Sequence, residues 1–153
     1  LTILFERHYF SKKTKHQYDV AAPDISNQKA GGYGKSAAQM GRLEKAWKLS
    51  AEEALMSASW GRFQIMGANF KDAGFPSVLE MVVAIMNSEK AHLDAFVHFV
   101  GNQNALKKAL KQKNWADFAR GYNGKEYEKN NYDSKLAAEY EKLTKNRRSV
   151  PLP

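Results

Sequence analysis

Three short stretches carry side chains suited to acid–base chemistry or to carbohydrate contact. The first is Ile3-Leu4-Phe5-Glu6-Arg7-His8-Tyr9-Phe10. On a helix, Tyr9 and Phe10 stand one turn beyond Glu6, which gives its carboxyl aromatic neighbours and little water. A desolvated carboxyl holds its proton to higher pH, and one still protonated near neutrality can serve as a general acid. An ordinary boundary glutamate, paired with Arg7 or a distant lysine, accounts for the same residues. The second stretch is Ser57-Ala58-Ser59-Trp60-Gly61-Arg62-Phe63-Gln64-Ile65-Met66-Gly67. Gly61 and Gly67 permit close backbone approach, Trp60 offers a flat apolar face matching that of a sugar ring, and Gln64 has the donor and acceptor needed to hold an acetamido group. A tight turn with Trp60 and Phe63 in the core reads equally from this pattern. The third, Tyr122-Asn123-Gly124-Lys125-Glu126-Tyr127 and then Tyr132-Asp133, suits sugar hydroxyls and suits a helix-capping turn as well.

Other chemistries find little footing. The chain has no cysteine, so disulfides, thiolate zinc sites, iron–sulfur clusters and cysteine nucleophiles are excluded. No G-x-S-x-G elbow, H-E-x-x-H pair, acidic calcium loop or phosphate-binding G-x-x-x-x-G-K-[ST] loop occurs. His92 and His98, six apart on one helix, point in different directions. Neither a metal nor a cofactor is expected, and what remains is carboxylate chemistry.

The elements that must position these residues are mostly helical, because apolar residues recur at three- and four-residue spacing and strand-like alternation is nearly absent. A helical start over 2–10 leads into a loop or irregular hairpin over 11–35, where Pro23, Asp24, Ser26, Asn27, Gly31, Gly32 and Gly34 cluster. Met40, Leu43 and Trp47 mark one face of the next helix, and Ser50-Ala51-Glu52-Glu53 has capping-box spacing for another. From Ser77 to Val100, the residues Leu79, Val82, Val83, Met86, Leu93, Phe96, Val97 and Val100 keep the helical period and predict one central core helix. Helices over about 104–111, 115–120 and 132–145 follow. The expectation is an all-α, mainly helical single domain over residues 1–153, built around a central apolar helix with one long loop near the N-terminus.

At 153 residues the chain is long enough to bury a core without covalent staples. Its longest apolar run, Met81 to Met86, falls far short of a membrane span, and stable membrane insertion is not expected. The 24 Lys and Arg exceed the 16 Asp and Glu by eight charges, and residues 107–153 carry 12 of the basic and 6 of the acidic ones. Such an excess favours a polyanion or an anionic surface as partner. The basic residues alternate with acidic ones, which fits a solvated helical surface better than a nucleic-acid tract. The sequence starts at Leu1 with no charged n-region or cleavage site, so no signal peptide is read in it and a trimmed catalytic part of a longer protein is expected.

Taken in order, Phe5-Glu6-Arg7-His8-Tyr9-Phe10, Pro23-Asp24-Ile25-Ser26 with Gly31-Gly32-Tyr33-Gly34, Ser59 to Gly67, and Tyr122-Asn123-Gly124 resemble the N-acetylmuramidase family of phage endolysins, a branch of the lysozyme-like superfamily. The resemblance covers nearly the whole chain. It implies a lysozyme-like fold, and a cofactor-free peptidoglycan hydrolase that cuts between N-acetylmuramic acid and N-acetylglucosamine. It further implies Glu6 as general acid, with Gln64, the Trp60-Gly61 backbone, Tyr122 and Asn123 lining the saccharide groove. Synthesis in the host cytoplasm, action on the wall after release, monomeric behaviour and electrostatic attraction to the anionic envelope complete the expected picture. A lytic transglycosylase, in which the muramic acid's own hydroxyl attacks, is the close alternative; a non-catalytic wall-binding module and a basic nucleic-acid binder are the remoter ones. Goose-type relatives reach the Gln-containing motif soon after the catalytic Glu, whereas here over fifty residues intervene, so their second carboxylate does not transfer.

Glycoside hydrolysis normally pairs the acid with another carboxylate, about 5–5.5 Å away for retention or about 6.5–9.5 Å for inversion. Asp24 is the first choice, since it follows Pro23 in a turn-rich loop where it can be rigid yet solvated and ionised. Asp19 is second, in a similar but less constrained setting. Either could instead cap backbone N–H groups. Glu89 lies about 20° from Val82 and Phe96 at 100° per residue, which predicts a structural carboxyl on the apolar face of the central helix, its change to Gln costing about 1–3 kcal/mol. Glu6→Gln should lower turnover of peptidoglycan at least about a hundredfold while leaving the thermal midpoint unchanged, because an amide cannot replace the proton donor. Near wild-type lysis of permeabilised cells by the folded variant would remove Glu6 from the chemistry.

Overall fold

The structure, a computed structural model, describes residues 2–148, the last three by their backbone alone. Three short strands and eight α-helices occur among these residues: β1 (Ile3–Phe5), α1 (Arg7–Lys13), α2 (Gln39–Leu49), α3 (Ala51–Met56), β2 (Ala58–Trp60), β3 (Ile65–Met66), α4 (Val78–Asn87), α5 (Glu89–Gly101), α6 (Asn104–Lys111), α7 (Trp115–Asn123) and α8 (Tyr132–Arg148). The mainly helical class is as the sequence predicts. The chain divides into two compact units, Leu1–Phe99 and Val100–Pro153. None of the helices described is long and apolar enough to cross a membrane.

The first unit holds a sheet that the sequence does not announce. Residues 3–5 are strand where a helical start is expected, and β1 pairs antiparallel with β2, setting Ile3 opposite Trp60 and Phe5 opposite Ala58. β2 pairs in turn with β3. Strands of two or three residues are too short to show alternation, and Ile, Leu and Phe fit a helix start as readily as a buried strand. Phe5, Phe10, Ile25 and Met81 are fully buried and form the centre of this unit's core with Leu43, Leu55, Trp60 and Ile85.

The expected central helix is two helices. Ser88 is extended (φ −149°, ψ 122°) and separates α4 from α5. The Asn87 side chain turns back to donate to the Val83 carbonyl (2.8 Å), and the Ser88 hydroxyl accepts from the Ala91 N–H (3.3 Å). Such local side-chain bonds end one helix and start the next. The core face of α4 is Val78, Met81, Val82 and Ile85, leaving Leu79, Val83 and Met86 exposed. α2 is misphased in the same way, since its buried residues are Gln39, Leu43 and Ala46, while Met40 and Trp47 face outward.

Helix starts also differ from expectation. At α3 the capping box does not close on the backbone; the Ser50 hydroxyl donates to the Glu53 carboxylate instead (2.5 Å). A true cap starts α4, where the Ser77 hydroxyl accepts from the Glu80 N–H (3.1 Å). In the second unit α7 packs against α6 and α8, burying Leu106, Ala109, Phe118, Ala119 and Tyr127. α7 runs three residues beyond the predicted end, so Tyr122 and Asn123 belong to its last turn, and Gly124 (φ +90°) takes the left-handed position that ends it.

Candidate active site

Glu6 sits at the junction of β1 and α1, in the N-cap position of the helix with extended backbone (φ −105°, ψ 94°). Its N–H donates to the Ser57 carbonyl (2.8 Å), and its own carbonyl accepts from Tyr9 and Phe10 to start the first turn. The strand thus delivers the residue and the helix carries the chain away. The side chain is only 14% exposed, and Oε2 lies 3.2 Å from His8 Nδ1. That contact is not a hydrogen bond: Glu6 Oε2, His8 Nδ1 and Arg7 Nε are all buried without a hydrogen-bond partner among the described residues. Unpaired buried polar atoms around a carboxyl are costly, and they collect where chemistry is done.

Two side chains one turn apart on α2 tie this junction to the long loop. Gln39 is buried, accepting from the Phe5 N–H through Oε1 (3.0 Å) and donating through Nε2 to the Tyr33 carbonyl (2.5 Å). Arg42 donates to the same Tyr33 carbonyl (2.9 Å) and to the Asp24 carbonyl (2.6 Å), with its guanidinium over the Phe5 ring. The loop turns through left-handed Gly31, Gly32 and Gly34. At Gly32 a Cβ would fall within 3 Å of the Arg7 guanidinium, so the loop backbone rests directly on that residue. Burial, then the charge of Glu6, push the Tyr33 phenol's pKa up, with Arg7 opposing. Burial first, and then Arg7, pull the Arg42 guanidinium down, against Asp24 and Glu6.

Asp24 is half exposed and grips Lys45 Nζ with both oxygens (2.7 and 2.9 Å). The hydrogen bond from Lys45 holds its carboxyl below the usual carboxylate range. Asp24 is therefore ionised, with part of its basicity spent on the lysine. Asp19 is more enclosed, accepting from Ser26 (2.6 Å) and Gln28 (3.3 Å), and the Ser26 bond lowers its pKa. Its bonds brace the 16–28 loop. Glu89 corrects an expectation outright. The break at Ser88 turns it to the surface, where it is 72% exposed and paired with Arg62 (2.6 Å), so its truncation should cost about 0–1 kcal/mol and not the larger value.

The second stretch forms β2, β3 and the turn between them. Trp60 is 3% exposed and donates its indole N–H to the Leu55 carbonyl (3.0 Å); it is a core residue, and its ring offers no face to a sugar. Gly61 (φ +73°) leaves no room for a side chain, since a Cβ would stand 2.8 Å from His92 Nδ1. His92 accepts the Arg62 N–H at Nδ1 (3.1 Å) and meets the Ile85 carbonyl at Nε2 (2.7 Å), holding the turn to the α4–α5 region. The Gln64 amide is committed within the turn, accepting from Ser59 (2.9 Å) and donating to the Gly61 carbonyl (2.8 Å). Tyr122 and Asn123 belong to the second unit. Tyr122 stacks on Phe118 (5.6 Å), burial pushes its phenol up, and Asn123 is exposed.

The sequence pattern marks none of Gln39, Arg42, Lys45, His8 and His92 as site residues. The spacing of Gln39 and Arg42 on one helix face was the available signal, hidden because apolar Met40 and Trp47 suggested a different phase. Among the described residues no group of three or more His, Asp or Glu could hold a metal ion.

The N-acetylmuramidase family model matches residues 1–144. The chain belongs to the N-acetylmuramidase family. The endolysin of Burkholderia phage AP3 has a similar structure, with 39% sequence identity and a TM-score of 0.88 over 95% of this chain. The chain covers 56% of that endolysin's length. No curated protein matches the sequence. Within this muramidase-family chain the two aspartates separate by their bonding, and Asp19→Asn should show it. The depressed Asp19 pKa means that its stabilisation is present above the ordinary value of 3.8 and fades as pH falls through the lower folded value. Urea unfolding should find D19N less stable than wild type at neutral pH, with the gap closing in acid; a gap independent of pH would show that the carboxylate charge is not what Ser26 stabilises.

Proposed function

We propose that this chain hydrolyses the glycan backbone of peptidoglycan, cutting the β-1,4 bond between N-acetylmuramic acid and N-acetylglucosamine, and so lyses a bacterial host for a phage. The observation that carries the reading is a largely buried Glu6 at the family's expected position, enclosed by His8, Arg7, Tyr33 and Arg42. Glu6 gives its proton to the glycosidic oxygen as the leaving sugar departs, and an oxocarbenium-like charge develops on the other. Asp24 is the carboxylate we assign to that charge or to the attacking water. Its ionised state supports the first role more directly, because Lys45 already occupies both oxygens. The Trp60-Gly61 backbone and Gln64, with Tyr122 and Asn123, are assigned to saccharide binding; for Gln64 this requires its amide to exchange a turn bond for a substrate bond.

We assign both units to one catalytic domain acting as a monomer, which agrees with a family match running through the two. Synthesis in the host cytoplasm and action on the wall after release follow from the same reading, as does independence of any cofactor. Nucleic acid is not assigned as a partner.

Product mass tests the chemistry. Digestion of purified peptidoglycan should yield muropeptides carrying the added water, and E6Q should yield none above background. Products lighter by that water, the 1,6-anhydro form, would replace hydrolysis by transglycosylation. Binding without cleavage would reduce the chain to a wall-binding module.

The charge excess we assign to attraction toward the anionic envelope. Lys107, Lys108 and Lys111 are exposed on α6, whose Leu106 and Ala109 face inward. Changing the three lysines to Gln should slow clearing of whole wall material at low salt, leave cleavage of short neutral glycan fragments unchanged, and flatten the salt dependence. An equal loss on both substrates would place these charges in catalysis instead.

A further inference from the structure

We propose that His8 is a positioning residue of the acid centre, holding one oxygen of the Glu6 carboxyl and steadying the charge left there when the other oxygen gives up its proton. The inference rests on the reading of Glu6 as general acid and adds to it the group that aims and supports the carboxyl. His8 is the second residue of α1 and Glu6 is the cap of the same helix, so the strand-to-helix junction places both side chains together. The His8 Nδ1 stands 3.2 Å from Glu6 Oε2, and its ring meets the Tyr9 ring edge-on (4.9 Å, 71°). Oε2 is buried, so the exposed part of the Glu6 side chain does not include it, and Oε1 is the oxygen left to meet a glycan.

The two facing atoms have no hydrogen-bond partner among the described residues. They are near enough to bond but are not aligned, and catalytic hydrogen bonds in a free enzyme are often of this kind, tightening only as the reaction proceeds. When the Oε1 proton passes to the glycosidic oxygen, the electron pair of the O–H bond stays on the carboxylate and its negative charge spreads over both oxygens. A small rotation then lines up an Nδ1–H with Oε2, and neither atom has a bond to give up for it. His8 keeps its own proton throughout. An interaction that is stronger after proton transfer than before it lowers the barrier without tightening substrate binding. Other cations of the site are committed elsewhere: Arg42 donates to the Tyr33 and Asp24 carbonyls, and the Arg7 guanidinium lies against Gly32. Among the described residues only His8 comes within ion-pair distance of Glu6.

Asn places an amide nitrogen where Nδ1 stands, whereas Gln reaches the place of Nε2, so these two replacements separate the bonding atom from the bulk of the ring. The test measures kcat and KM on a soluble peptidoglycan fragment of defined length, with the thermal midpoint, for wild type, H8N and H8Q. H8Q should lower kcat at least roughly tenfold, the scale of one hydrogen bond to a charged group, with KM within about twofold. H8N should recover most of that loss. A wild-type kcat in H8Q would overturn the proposal, and so would equal losses in H8N and H8Q, which would put the role in the packing of the ring. Nitrogen NMR of wild type labelled at its histidines decides without regard to how any variant folds: the His8 Nδ1 should carry a hydrogen at neutral pH, and a bare Nδ1 overturns the assignment. E6Q separates the two levels: full activity in E6Q defeats the general-acid reading, whereas an inert E6Q beside a fully active H8Q defeats this inference only.

Discussion

The junction between Phe5 and Glu6 is the constraint on which the first unit is built. A strand must end and a helix begin within one residue, leaving backbone N–H groups that neither element satisfies. The Phe5 N–H goes to the Gln39 side chain and the Glu6 N–H to the Ser57 carbonyl, so both are paired from outside the strand. These partners come from α2 and from the residue between α3 and β2. Satisfying two amides therefore draws the helical hairpin of α2 and α3 onto β1, and the burial of Leu43, Ala46, Ala54 and Leu55 follows. Lining the carboxyl with unpaired polar atoms is tolerable because this frame is already fixed.

The hairpin of β2 and β3 repeats the same economy. Ser59, Gln64 and the Gly61 carbonyl satisfy one another, and the indole of Trp60 caps the Leu55 carbonyl at the end of α3. Gly67 packs so tightly on Leu55 that a Cβ there would collide with its carbonyl oxygen. The two glycines of this stretch thus serve close packing, Gly67 against backbone and Gly61 against the His92 ring, while Trp60 lies in the core.

The sequence was legible where a pattern was long enough to have a phase. The helices α6, α7 and α8 begin where periodicity and capping residues place them, and the helical class is read without difficulty. Short strands were not legible, since three residues of β1 contain no alternation to detect. Helix phase failed where one polar residue, Gln39, occupied the buried face, because burial of an amide depends on partners thirty-four residues away that no local pattern reveals. Glu89 departs from its expected face for a related reason: the Asn87-Ser88 break shifts every later angle away from that of the single continuous helix the periodicity predicts. Glu6 and Asp24 are chemically distinct in the structure, the first enclosed and the second half exposed, but that contrast rests on Tyr33, Lys45 and Arg42, whose proximity belongs to the tertiary fold.

The His92 imidazole is fixed by two backbone partners. Its Nδ1 accepts a backbone N–H, so that nitrogen carries no hydrogen; its Nε2 must then be the protonated one, donating to the Ile85 carbonyl. Both ring nitrogens are therefore engaged, one by the Arg62 N–H and the other by the Ile85 carbonyl. An imidazole packed against the Gly61 turn thus acts as a clamp between that turn and the end of α4, so that replacing it would release the backbone of the hairpin along with the ring.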